Sequence, residues 1–65
     1  MQAKYFQDTD TLLLTFSKNE VAETYDLNEE VLVEVDKDGR VVRMTVEHAG
    51  QQTDVNEFSY QLATA

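Results

Sequence analysis

Val31-Leu32-Val33-Glu34-Val35-Asp36-Lys37-Asp38-Gly39-Arg40-Val41-Val42-Arg43-Met44-Thr45-Val46 decides how this chain folds. Val31, Val33 and Val35 alternate with Leu32, Glu34 and Asp36, and Val42, Met44 and Val46 alternate with Val41, Arg43 and Thr45. Successive strand side chains point to opposite faces, so each arm carries one apolar side. The β-branched residues suit a pleated, half-buried surface. Asp38-Gly39 between the arms tolerates the positive φ that a hairpin turn requires. The two apolar sets must share a face. A two-residue loop, Asp38-Gly39, sets Val35 against Val42 and Val33 against Met44. A four-residue loop, Asp36 to Gly39, sets Val33 against Val42 and Val31 against Met44. Both registers keep the core on one side, whereas a three-residue loop opposes Val33 to Arg43 and is rejected. In the two-residue register Glu34 faces Arg43 on the other side of the sheet.

Working outward, Ala3 to Phe6 reads as a first strand, Gln7-Asp8-Thr9-Asp10 as a turn, and Thr11 to Phe16 as a second strand with Leu12, Leu14 and Phe16 on one face. The first two strands form a hairpin. After the turn Ser17-Lys18-Asn19-Glu20, Val21 to Leu27 reads as an edge strand whose inward Glu23 discourages pairing with other chains. Gly50-Gln51-Gln52 then breaks the β-pattern. Asp54 with Glu57 three residues on fits a capping box, and Val55, Phe58 and Leu62 recur at helical spacing. A helix from about Val55 to Leu62 is expected, docking Phe58 and Leu62 on the sheet or on another chain because so short a helix does not persist alone. The expected fold is α+β, an antiparallel β-meander of four or five strands with one short C-terminal helix. It is one domain over 1–65, with the meander in 1–49 and a linker and helix in 50–65. Leu13, Leu32 and Val41 fall on the face away from the main core. A lone sheet has two faces and one helix covers only one, so a homodimer is the preferred oligomeric expectation.

The 65 residues contain 42% hydrophobic side chains and no cysteine, so stability must come from one thin core without disulfides. No signal-peptide-like stretch and no apolar run of about 20 residues is visible, which with the missing cysteine leads to the expectation of a soluble, cytoplasmic protein. Thirteen acidic residues against five basic give a net charge of −8. The acids concentrate between Glu20 and Asp38, where Lys37 is the only cation. Nucleic-acid binding rests on Lys and Arg neutralising phosphates, so direct binding is not expected, and an anionic membrane surface would repel the chain. An acidic surface keeps a small protein soluble, and it also suits docking to a basic partner.

The residues that carry chemistry elsewhere read here as structural. His48 is the only histidine, and neither Ser17 nor Ser59 sits in a nucleophile elbow, so a strand-end role is expected and no catalytic residue is assigned. Asp36-Lys37-Asp38-Gly39 echoes the start of a calcium loop but lacks the remaining ligands of the twelve-residue EF-hand. Asp8 and Asp10 form a second close pair, better read as turn-shaping than as an acid–base pair without a pocket. Tyr5, Phe6, Phe16, Tyr25, Phe58 and Tyr60 lack the basic groove that base stacking needs. No cofactor and no metal is expected.

The order of these pieces resembles a known family. Asp10-Thr11-Leu12-Leu13-Leu14, Val21-Ala22-Glu23-Thr24, Asp36-x-Asp38-Gly39-Arg40-Val41-Val42 and Met44-Thr45-Val46-Glu47 look like the small bacterial family known as domain of unknown function 2283, over roughly Lys4 to Ala49. Arg43 stands where that family often has glycine, and Phe6-Gln7 replaces its usual Asp-Pro. The resemblance implies a compact β-rich prokaryotic domain without an established activity. It also implies a link to suspected antitoxins encoded beside small toxin-like proteins. The expected function is a non-enzymatic protein-interaction domain, antitoxin-like in binding a basic protein partner through Glu23, Glu29, Glu30 and Glu34 together with Leu13, Leu32 and Val41. The alternative is a small metal- or ligand-binding protein using Asp8, Asp10, Asp36 and Asp38.

Overall fold

A computed structural model, in which residues 1–57 and 59–63 are described, realises the alternation as five strands. They are β1 (Gln2–Phe6), β2 (Thr11–Thr15), β3 (Glu23–Asp26), β4 (Val31–Val35) and β5 (Val41–Glu47). They form one antiparallel sheet in the order β1-β2-β5-β4-β3. The α+β expectation therefore holds. The sheet comprises a β1–β2 hairpin and a β3–β4–β5 meander joined by β5 pairing with β2. The connection from β2 to β3 carries the chain to the far edge.

Register puts Val33 opposite Met44, Val31 opposite Val46 and Glu34 opposite Arg43, the pairing of the two-residue loop. The loop itself contradicts that expectation. Asp36 N–H donates to the Arg40 carbonyl at 2.9 Å and Gly39 N–H to the Asp36 carbonyl at 3.0 Å, leaving a three-residue loop with Gly39 at φ 81°. Such a loop alone would oppose Val33 to Arg43. A bulge cancels the error: Val35 pairs with Val41, the next pair is Glu34 with Arg43, and Val42 is the extra residue. One added residue in the loop and one in the strand restore parity, and Val42 turns inward to 4% exposure.

Paired residues share a face. The first face carries Ala3 and Tyr5, Leu12 and Leu14, Met44 and Val46, Val31 and Val33, and Tyr25. The second carries Lys4, Leu13, Thr45, Leu32 and Asp26 in one row, with Thr15, Arg43, Glu34 and Thr24 in the next. Among the described hydrophobic residues only Val33, Val35, Val42 and Ala49 are buried, and no large side chain is fully enclosed.

The helix, α1, is a single turn, Ala49–Gln52. The sequence predicts it over Val55–Leu62, and the described residues there are not helical. Phe58, the expected anchor, lies outside the described residues. Asp54 does not cap a helix; its carboxylate accepts Asn56 N–H at 3.0 Å and shapes a turn. Leu62 is 89% exposed, so the packing that a short helix needs is missing at this position. At α1 that support exists: Asp10 accepts Ala49 N–H at its carbonyl (3.0 Å) and Gly50 N–H at its carboxylate (2.9 Å). Gly50 thus sits inside a turn of helix at the place where it reads as a breaker.

Candidate functional site

The seven residues expected to form a docking surface do not form one patch. Leu13 and Leu32 both pair with Thr45, so they flank it across the second face as predicted. Val41 is at the bulge, opposite Val35, four residues along β5 from Thr45. Glu34 and Arg43 meet in a two-pronged ion pair on the second face, Nε to Oε1 at 2.6 Å and Nη2 to Oε2 at 2.9 Å. The guanidinium holds the Glu34 carboxyl below its usual range. Glu23 points to the first face, where the Tyr25 hydroxyl donates to it at 2.5 Å. Glu29 and Glu30 flank the β3–β4 turn, where Asn28 Oδ1 accepts the Glu30 and Val31 N–H groups at 2.7 and 2.9 Å. With Leu32 they line a shallow notch of about 120 Å³.

The turn carboxylates are engaged within the fold. Asp36 is 6% exposed. Its Oδ1 accepts the Asp38 and Arg40 N–H groups at 2.9 and 3.0 Å, and its Oδ2 accepts Asn19 Nδ2 at 2.9 Å. The Asn19 bond first, then the backbone donors, lower its pKa. No local pattern in the sequence marks Asn19, whose partner is 17 residues away. It ties the β2–β3 connection to the hairpin and helps line an open cleft of about 530 Å³ with Glu20, Val21, Ala22, Asp36, Lys37 and Asp38. Asp10, at φ 54°, accepts the Tyr5 hydroxyl at 2.6 Å. That bond, then Gly50 N–H, lowers the Asp10 pKa, and the same bond raises that of Tyr5. The turns bearing Asp10 and Asp36 lie at opposite ends of the sheet, since Thr11 pairs with the last residue of β5 and the Asp36 turn precedes its first. Among the described residues no three His, Cys, Asp or Glu side chains are placed to hold one metal ion. His48, at φ 52°, stands at the end of β5 with Nδ1 3.4 Å from Glu30 Oε1. No helix among the described residues is long and apolar enough to cross a membrane.

The less expected feature is the first face. Leu12, Leu14, Val31, Met44 and Val46 read in the sequence as core, yet each is only half-buried. The chain exposes 5366 Å² against the roughly 4,200 Å² expected of a compact protein of 7.4 kDa. Its extents are 33 × 32 × 19 Å, a slab with one sheet and little over it. The cover comes from Thr53, Asp54, Val55 and Glu57, which enclose about 170 Å³ against Ala3, Tyr5 and Leu12 on the β1–β2 side. Farther along, Tyr60 is 74% exposed. On the β5–β4–β3 side the same face carries half-buried Met44, Val46 and Val31 and exposed Tyr25 around buried Val33 and Val35, with Glu23 at its β3 edge. Both strand-borne cations, Lys4 and Arg43, are on the second face. The signal for this in the sequence was the shortage of elements to cover a sheet.

A family model described as protein of unknown function, DUF2283, matches residues 2–49, which span all five strands and the first residue of α1. No curated protein and no solved structure matches the chain.

Proposed function

The chain belongs to the DUF2283 family of proteins of unknown function, and on that footing we propose that it is a non-enzymatic protein-interaction domain that docks a basic protein partner in a prokaryotic cytoplasm. The observation that carries this reading is the half-covered apolar face with carboxylates along its margins. Uncovered apolar surface of this kind marks an interface more often than an idle surface. The net charge of −8 supplies long-range attraction for a cationic partner, so association is fast and weakens with salt. An antitoxin-like role, with a small basic toxin as the partner, is the form that the family resemblance suggests.

Co-purification from the native host tests the proposal. At low salt a stoichiometric basic protein is expected, released as ionic strength rises and not retained by a Glu23→Lys variant. Absence of any such protein, or retention indifferent to salt and to that substitution, contradicts it.

A further inference from the structure

We propose that Asp38 is a latent isoaspartate site, held shut in the folded chain by Asp36 and opened only when the β4–β5 loop comes apart. The inference goes beyond the interaction-domain reading and does not depend on it. Of the two glycines in the chain, only Gly39 follows an aspartate or asparagine. A glycine nitrogen approaches the preceding side chain without hindrance, and nothing stands within 4 Å of where a Cβ on Gly39 would lie. Asp38 and Gly39 are both exposed, so water reaches them. The reaction is a dehydration followed by a hydrolysis. Gly39 N attacks Cγ of the protonated Asp38 carboxyl. The N–Cγ bond forms, a Cγ–O bond breaks, and the Gly39 amide proton leaves with the hydroxyl as water. The product is a five-membered succinimide, and water then adds to one of its two carbonyls. Cleavage of the N–Cγ bond returns aspartate. Cleavage between that nitrogen and the main-chain carbonyl routes the backbone through the side chain, as isoaspartate. No mass is gained overall and no electron is transferred.

The fold blocks the first step. Gly39 N–H donates to the Asp36 carbonyl at 3.0 Å, and Asp38 N–H donates to Asp36 Oδ1 at 2.9 Å. The torsion that carries Gly39 N toward Asp38 Cγ lies between these two nitrogens, and both are tied to one residue. Arg40 N–H, on the same Oδ1 at 3.0 Å, fixes the far side of the loop. Asp36 is itself anchored, 6% exposed and with Oδ2 accepting Asn19 Nδ2 at 2.9 Å. Ring closure therefore waits for a local opening that gives up several hydrogen bonds. Each such bond slows the reaction about two- to tenfold. Isoaspartate then adds a carbon to the main chain, inside a loop whose length acts together with the Val42 bulge to set the parity of β5. An opened chain that has reacted recloses less well, so the loop converts a reversible opening into a permanent one.

The test incubates the full chain in warm, weakly acidic buffer, once folded and once in denaturing urea. Isoaspartate is counted by methyl transfer with a protein isoaspartyl methyltransferase and placed by chromatography of the peptides. The folded chain is expected to react about tenfold more slowly than the unfolded one, or slower still, with the product at Asp38. Asp38→Glu, which closes only a less favourable six-membered ring, abolishes the signal. Asp36→Ala speeds the folded reaction about tenfold and Asn19→Ala about two- to tenfold, and neither changes the rate in urea. Amide spectra at Val33 and Met44 show which variants are folded. Asn19→Ala leaves the acceptor of the loop in place and carries the test if Asp36→Ala does not fold. The purified isoaspartate form is expected to unfold at a lower denaturant midpoint than the unmodified chain. Equal rates in the folded and unfolded chain, product at another residue, folded variants no faster than the original, or an unaltered midpoint in the isoaspartate form each overturn the proposal.

Discussion

At the scale of the residue, two side chains and one glycine set the ends of the sheet. Asp36 is buried with both oxygens occupied by donors, which stabilises its ionised form. Its folded pKa lies below the unfolded value. The stability this contributes is therefore present above the ordinary carboxylate pKa and is lost as pH falls through the depressed folded value. Glu34 and Asp10 shift in the same direction and add to the same acid limb. Denaturant midpoints measured between neutral pH and pH about 2 should fall in the acid range, below about pH 4, and fall less steeply in Asp36→Asn. An unchanged acid limb in that variant would contradict the assignment. Gly39 is a separate case. Nothing stands near enough to obstruct a Cβ, but its φ of 81° penalises any L side chain. Gly39→Ala should cost about 1 kcal/mol by equilibrium unfolding, and Gly39→Asn less, because asparagine tolerates the left-handed region.

At the scale of the element, the strands were largely legible because period-two alternation is local and survives in any register of correct parity. The bulge was not. A three-residue loop and an extra strand residue cancel, so counting residues across the bend cannot separate that pair from a simple two-residue turn. The helix was misplaced for a different reason. Val55, Phe58 and Leu62 have helical spacing, whereas α1 is held by Asp10, 40 residues from Gly50, through a contact that no local pattern announces. Gly50 leaves little room for a side chain there. A Cβ on it would meet Asp10 Oδ1 at 3.0 Å and push the carboxylate off the N–H it accepts. Gly50→Ala and Asp10→Ala should each speed hydrogen exchange at Thr53, whose N–H closes the turn on Ala49, by about two- to tenfold, the loss of one ordinary hydrogen bond. Exchange at Val33 and Met44 should not change. An equal increase across β4 and β5 would show that Asp10 supports the whole fold, not this corner.

At the scale of the whole molecule, the issue is what a single sheet does with its apolar side. The candidate site was partly legible: parity correctly put Leu13 and Leu32 on the second face, and the acid-rich middle was plain from composition. Which part of the first face stays accessible was not, since it depends on where the tail lies, and Thr53, Asp54, Val55 and Glu57 lie against β1 and β2. The second face, tiled with Thr11, Thr15, Thr24 and Thr45 around the Glu34–Arg43 pair, resembles a solvated surface. The first does not. The central claim is that the first face stays accessible at Leu14, Val31, Met44 and Val46 in the isolated chain, around the buried Val33. The most direct measurement is the relaxation of methyl resonances by a neutral paramagnetic cosolute in dilute protein. The account expects Met44, Val46, Val31 and Leu14 to be relaxed as strongly as Leu13 and Leu32, and well above buried Val33 and Val42. Protection of Met44 and Val46 to the level of Val33 would mean that the face is already covered, and would contradict it.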